Sequence, residues 1–118
     1  MKFITIALIS ASIMLAGLSA WAGTEEGKAS YYADSLDGNA TASGEPYDKE
    51  KMTAAHRTLP FGTEVKVTNL SSQKQVTVRI NDRGPHAKSR IIDVSGAAAK
   101  KLGLLDSGTA TVRITWED

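Results

Sequence analysis

There is no cysteine anywhere in the 118 residues. That removes a thiol nucleophile, a thiolate metal site and a disulfide framework together, so a small fold has to hold by packing alone. It also removes lipid attachment: Leu15-Ala16-Gly17 has the pattern that precedes an acylated cysteine, but Leu18 stands where the cysteine is needed. Histidine is scarce too. His56 and His86 lie far apart in the chain and give no reason to expect a metal. No Gly-x-Ser-x-Gly elbow and no glycine-rich phosphate loop before a helix occurs. Charge of one sign is lacking as well, since 14 basic side chains face 13 acidic ones and the two are interspersed, so nucleic acid is not an expected partner.

Long hydrophobic runs are limited to one. Lys2, the mostly apolar stretch from Phe3 to Leu15 and the small-x-small triplet Ala20-Trp21-Ala22 form a cleavable export signal over residues 1–22. The run is shorter than the roughly 20 residues a membrane-spanning helix requires. The expected product is one domain over 23–118, exported to the periplasm or the medium, with no membrane anchor after cleavage. Only Lys2 of the charged residues belongs to the signal, so the charges of that domain balance.

The rest of the sequence is patterned for short strands. Gly23 to Gly27 is expected to be an acidic, mobile leader, and Lys28 to Ala33 a first strand. Asp34 to Gly44 has the small, polar composition of a surface loop. Val65 and Val67, then Val76, Val78 and Ile80, alternate with polar residues on either side of Asn69 to Lys74, which predicts a β-hairpin with one buried face. Arg90 to Val94 and Thr109 to Trp116 predict two further strands. A helix is predicted over Gly96 to Leu102, with Ser95 as N-cap and Gly103 just past its end; a weaker helical turn could begin at Asp48. Such a chain is mainly β, and closing the sheet into a small barrel removes the exposed edges.

Two polar clusters interrupt this pattern. Asn81-Asp82-Arg83-Gly84-Pro85 follows Ile80 as a loop whose composition by itself favours a turn. Thr41-Ala42-Ser43-Gly44-Glu45-Pro46-Tyr47-Asp48 mixes carboxylates with hydroxyl and aromatic groups, a combination suited to sugars. With other chemistries excluded, carboxylate acid-base work remains, and Asp82, Asp93, Glu45 and Asp48 are the candidates. His56, after the small residues Thr53-Ala54-Ala55, could relay a proton or orient a carboxylate.

These motifs resemble, in order, the barrel domain of the RlpA-like family, named from rare lipoprotein A. The match runs from Gly27-Lys28-Ala29-Ser30-Tyr31-Tyr32 through the 41–48 cluster, Thr53 to Thr63, Val67 to Leu70, Val78 to Pro85, Arg90 to Ser95 and on to Gly103. The resemblance implies a six-stranded double-psi β-barrel with one or two short helices, a fold shared with expansins. It implies peptidoglycan glycan strands as substrate, no cofactor, and lytic transglycosylase activity that leaves a 1,6-anhydro sugar. On the matching positions, Asp82 is implied as acid/base, Glu45 and His56 as positioning or electrostatic groups, and Asp93 as a competing acid. Tyr32, Thr41, Asp48, Asn81 and Arg83 are implied to bind substrate. Two departures from better-known members bear on location: the lipobox cysteine and the C-terminal peptidoglycan-binding repeat domain have no counterpart here. Two other functions compete, a non-catalytic expansin-like glycan-binding module and a structural or inhibitory partner of another periplasmic protein.

Overall fold

A computed structural model describes residues 22–117. The export signal, but for its last residue, lies outside the described residues. Six strands form the expected closed barrel: β1 (Gly23–Tyr31), β2 (Thr53–Ala55), β3 (Glu64–Asn69), β4 (Gln75–Asp82), β5 (Arg90–Val94) and β6 (Ala110–Trp116). Around the wall their order is β1-β5-β2-β4-β3-β6, with β6 returning to β1. The β1/β5 and β2/β4 contacts are parallel and the other four antiparallel. This is the small double-psi barrel that the motifs imply.

The alternation read from the sequence fills the interior. Val65, Val67, Val78, Ile80, Val112 and Ile114 all point inward and are essentially inaccessible, each adding about 1.5–3 kcal/mol through burial. One end is plugged by the helix α1 (Gly96–Leu102), which buries Ala98, Ala99 and Leu102. Its caps are those expected: Ser95 Oγ accepts from the amide of Ala98, and Gly103 takes a left-handed φ of 77° that a side chain would resist.

Four expectations are corrected. Residues 23–27 are no mobile leader: they form the first half of β1, paired with β6 from Gly23 opposite Trp116 to Gly27 opposite Val112. The glycines there permit close approach, because a Cβ on Gly23 would strike the Trp116 ring and one on Gly27 would lie 2.6 Å from Ile91. Thr53–Ala55, read only as small residues, is β2, too short for periodicity to reveal and buried on both faces. Asp48 starts a turn, not a helix; its Oδ1 accepts from the amide of Glu50. A single 3₁₀ turn occurs at Asp34–Leu36 instead. Finally, Asn81 and Asp82 are not loop residues but the end of β4.

That last correction positions the site. Ala54 is level with Ile80, yet Ala55 is level with Asp82, so the register slips by one residue at Asn81. Such a bulge re-aims side chains. Ile80 points into the barrel, and by simple alternation Asp82 would follow it inward; the slip puts Asp82 beside the outward-facing Ala55.

Candidate active site

A second slip, between Lys28 and Ala29, brings Ser30 level with Asp93. Asp93 is in turn level with Ala55 across the antiparallel β2/β5 contact. Four strands therefore present one row, Ser30, Asp93, Ala55 and Asp82. With neighbouring strands about 4.8 Å apart, the two aspartate backbones are separated by about 10 Å, with one methyl group between them. The row forms the floor of an open groove of about 410 Å³, walled by Tyr31, Tyr32, Arg83, Gly84, Pro85, His86 and Arg90.

Each acid is held by a defined set of donors. Asp82 Oδ1 accepts from the amides of Ala42 (2.8 Å) and Arg83 (2.9 Å), and Oδ2 accepts from the Tyr32 hydroxyl at 2.5 Å. Asp93 Oδ1 accepts from Ser30 Oγ, and the Arg90 Nε lies 3.6 Å away. That distance makes an ion pair but not a hydrogen bond, and the buried Arg90 Nε has no hydrogen-bond partner among the described residues. Tyr32 is fixed by stacking on Tyr47, with ring centres 4.3 Å apart and planes 14° from parallel. Tyr47 is itself anchored, since its hydroxyl oxygen accepts from the amide of Gly96 at 2.9 Å. Burial first, and then the bond to Asp82 and the negative charges of Asp82 and Asp93, push the Tyr32 phenol above the ordinary tyrosine value. It remains a neutral donor.

Several expected site residues lie elsewhere. Glu45 belongs to a separate pocket of about 140 Å³ that includes Asp48, Lys51, Thr53, Arg79 and Asn81. There its Oε1 accepts from Arg79 Nη1 (3.0 Å) and Asn81 Nδ2 (3.1 Å). These two bonds hold the carboxyl below its usual range. Asn81 thus faces Glu45 while its neighbour Asp82 faces the groove. Thr41 is buried, and its hydroxyl donates to the carbonyl of Glu45 at 2.7 Å, shaping the 41–48 loop from within. The His56 ring is buried away from the groove against Glu25. Arg83 does border the groove, but its guanidinium is turned to the carbonyls of His56 and Leu59.

Sequence reasoning missed Ser30, Ala55, Tyr47 and Arg90 as members of the site. Ser30 and Ala55 are invisible because only strand register brings them to the acids. Tyr47 had a signal, as the buried aromatic of a polar cluster.

A family profile described as lytic transglycolase matches residues 24–114, nearly all of the described barrel. The chain belongs to this family. Among RlpA relatives, the endolytic peptidoglycan transglycosylase RlpA of Vibrio cholerae is 55% identical over 91 residues, covering 77% of this chain and 35% of its own length. The probable endolytic peptidoglycan transglycosylase RlpA of Treponema pallidum is 62% identical over 89 residues, covering 75% and 28%. The Pseudomonas aeruginosa protein is 56% identical over 88 residues, covering 75% and 26%. The chain therefore spans about a quarter to a third of the length of these relatives. Among solved structures, the Streptomyces papain inhibitor superposes with a TM-score of 0.66 at 26% identity, covering 81% of this chain and 96% of the inhibitor. The Clavibacter michiganensis expansin superposes at 0.64 and 22% identity over 81% of this chain and 51% of the expansin, a likeness of fold.

Proposed function

We propose that this barrel is a lytic transglycosylase that cuts the bond between N-acetylmuramic acid and N-acetylglucosamine in peptidoglycan glycan strands, after export over its N-terminal leader. The observation that carries the reading is the row in which two carboxylates border one groove on either side of Ala55. The relatives named as endolytic peptidoglycan transglycosylases support it.

In this reading Asp82 is the acid/base. Its Oδ1 is pinned by two main-chain amides, which leaves Oδ2, beside the Tyr32 hydroxyl, to meet the bridging oxygen. As general acid, Asp82 enters the reaction carrying a proton on the oxygen that meets the substrate. That proton passes to the bridging oxygen as its bond to muramyl C1 breaks. The positive charge developing at C1 is met by the Asp93 carboxylate. The muramyl 6-hydroxyl then bonds to C1 and returns its proton to Asp82, giving a 1,6-anhydro end with no water consumed. Tyr32 keeps its own proton throughout and stabilises the Asp82 anion left after the first transfer.

The test is mass spectrometry of soluble products after the purified protein is incubated with sacculi or with glycan strands stripped of peptide. Anhydromuramyl ends are expected, and Asp82→Asn should lower their release by about 10²–10⁴-fold. An equally active Asp82→Asn variant removes Asp82 from the role. Binding to sacculi with no new anhydro ends would instead establish a glycan-binding module.

A further inference from the structure

His56 matches a position tied to activity by family resemblance, yet both of its ring nitrogens are engaged by protein. Nδ1 accepts from the amides of Thr58 (3.1 Å) and Leu59 (3.2 Å), so it carries no proton. The ring proton is therefore on Nε2, which donates to Glu25 Oε1 at 3.0 Å. The imidazole is buried, tilted against Trp116 with ring centres 6.3 Å apart, and contributes nothing to the groove wall.

The same short segment is fastened to the catalytic row from its other side. The carbonyls of His56 and Leu59 both accept from Arg83 Nη1, at 3.1 and 2.8 Å, and the guanidinium lies 4.1 Å from the centre of the Phe61 ring. The amide of Arg83 donates to Asp82 Oδ1, and the amide of His56 to the carbonyl of Asp82. A continuous set of bonds thus runs from Glu25 on β1, through the imidazole, to the 56–59 turn, to Arg83 and to the carboxylate of Asp82.

We propose that Glu25, acting through His56, is a positioning residue for Asp82, and that His56 itself transfers no proton. Glu25 fixes the tautomer and orientation of the imidazole, in the way that a carboxylate behind a histidine commonly does. The imidazole gathers two amides, their turn presents two carbonyls to Arg83, and Arg83 holds Asp82 at the groove. Removing the ring strands the amides of Thr58 and Leu59 and lets Arg83 and Asp82 drift. A displacement of about 1 Å at a reacting group costs on the order of 100-fold in rate. The rate effect rests on the transglycosylase reading; the bonding does not.

The experiment compares the purified protein with His56→Ala, His56→Asn, Glu25→Ala and the Glu25→Ala/His56→Ala double variant. Two quantities are followed: kcat and KM for anhydromuramyl release from stripped glycan, and hydrogen exchange of the Thr58, Leu59 and Arg83 amides without substrate. His56→Ala should lose about 100-fold in kcat with little change in KM. His56→Asn places a side-chain oxygen where Nδ1 was; it should recover at least tenfold of that loss and keep both limbs of the wild-type pH profile. Glu25→Ala should fall in kcat and speed exchange at Thr58 and Leu59, and the double variant should be no worse than His56→Ala, because the linkage is already broken. Two outcomes would overturn the proposal: a His56→Asn variant as inactive as His56→Ala while its Thr58 and Leu59 amides stay protected, or a Glu25→Ala variant with wild-type exchange. A wild type that releases no anhydro product would sink the transglycosylase reading alone, and the exchange measurements would still decide whether Glu25 orders the 56–59 turn.

Discussion

Asp82 and Asp93 stand at one level of the barrel wall, on either side of Ala55. They belong to strands that are not paired with each other, and β2 between them is what brings them to one groove. The three-residue strand matters to the site as a spacer whose side chain at this level is a single methyl group.

Substituting that methyl group tests whether substrate crosses the row. Ala55→Val adds two methyl groups to the floor between the acids and should lower kcat/KM for anhydro-product release more than tenfold. Overpacking at a buried position is expected to cost about 1–3 kcal/mol, which a thermal melt run alongside will separate from the loss of activity. A folded, fully active Ala55→Val protein would mean that the glycan does not lie over Ala55.

Tyr32→Phe removes the donor to Asp82 Oδ2 and leaves the stack on Tyr47. Its signature is alkaline. Because the folded protein holds the phenol above its ordinary value, the stability associated with that shift is intact below about pH 10 and lost as the unfolded chain, but not the folded one, gives up the proton. Urea midpoints measured between pH 9 and 11 should fall more steeply for the wild type than for Tyr32→Phe. Parallel curves would refute the assignment.

Glu45→Gln carries the opposite sign. The Arg79 bond, then the Asn81 bond, hold this carboxyl below the ordinary glutamate value, so the stability it contributes is present above that value and lost as acid protonates the folded form. The wild-type advantage over Glu45→Gln near neutrality should shrink as pH falls below about 4. Denaturant titrations at pH 7, 4 and 3 measure it. An advantage independent of pH would show that the Arg79 contact is not what distinguishes the two proteins.

Gly27→Ala asks whether the first half of β1 is structural. The added Cβ would sit 2.6 Å from a methyl of Ile91, a residue whose side chain is buried under β1. A loss of about 1–3 kcal/mol is expected from the forced shift. A melt unchanged from wild type would contradict the close approach of these two strands.

Much of the barrel was legible because its inward residues are large and periodic: Val65, Val67, Val78, Ile80, Val112 and Ile114 announce two faces without any knowledge of strand order. The helix was legible through its ends, Ser95 and Gly103, whose roles are local. What escaped was long-range. Glu25 and Glu26 look like a solvated acidic leader until β6 and His56 supply their partners, Arg113 at 2.8 Å for one and the imidazole for the other. Asn81-Asp82 reads as a turn because both residue types favour turns, whereas pairing with β2 keeps them extended. Within the 41–48 cluster the polar composition was a sound guide to a special region, but composition could not separate Glu45, in its own pocket, from Tyr47, which braces the tyrosine at the groove. The row itself depends on two register slips, and a slip has no sequence signature.

The seam between β1 and β6 sets the orientation of anything joined to the barrel. Gly23 lies directly opposite Trp116, so the two ends of the barrel chain emerge side by side, on the side where the Trp116 ring packs against His56, whose amide donates to the carbonyl of Asp82. The same adjacency makes the barrel a candidate for circular permutation, with a short bridge from Trp116 to Gly23 and new ends opened in the exposed turn at Ser71 to Lys74, at the opposite end of β4 from Asp82.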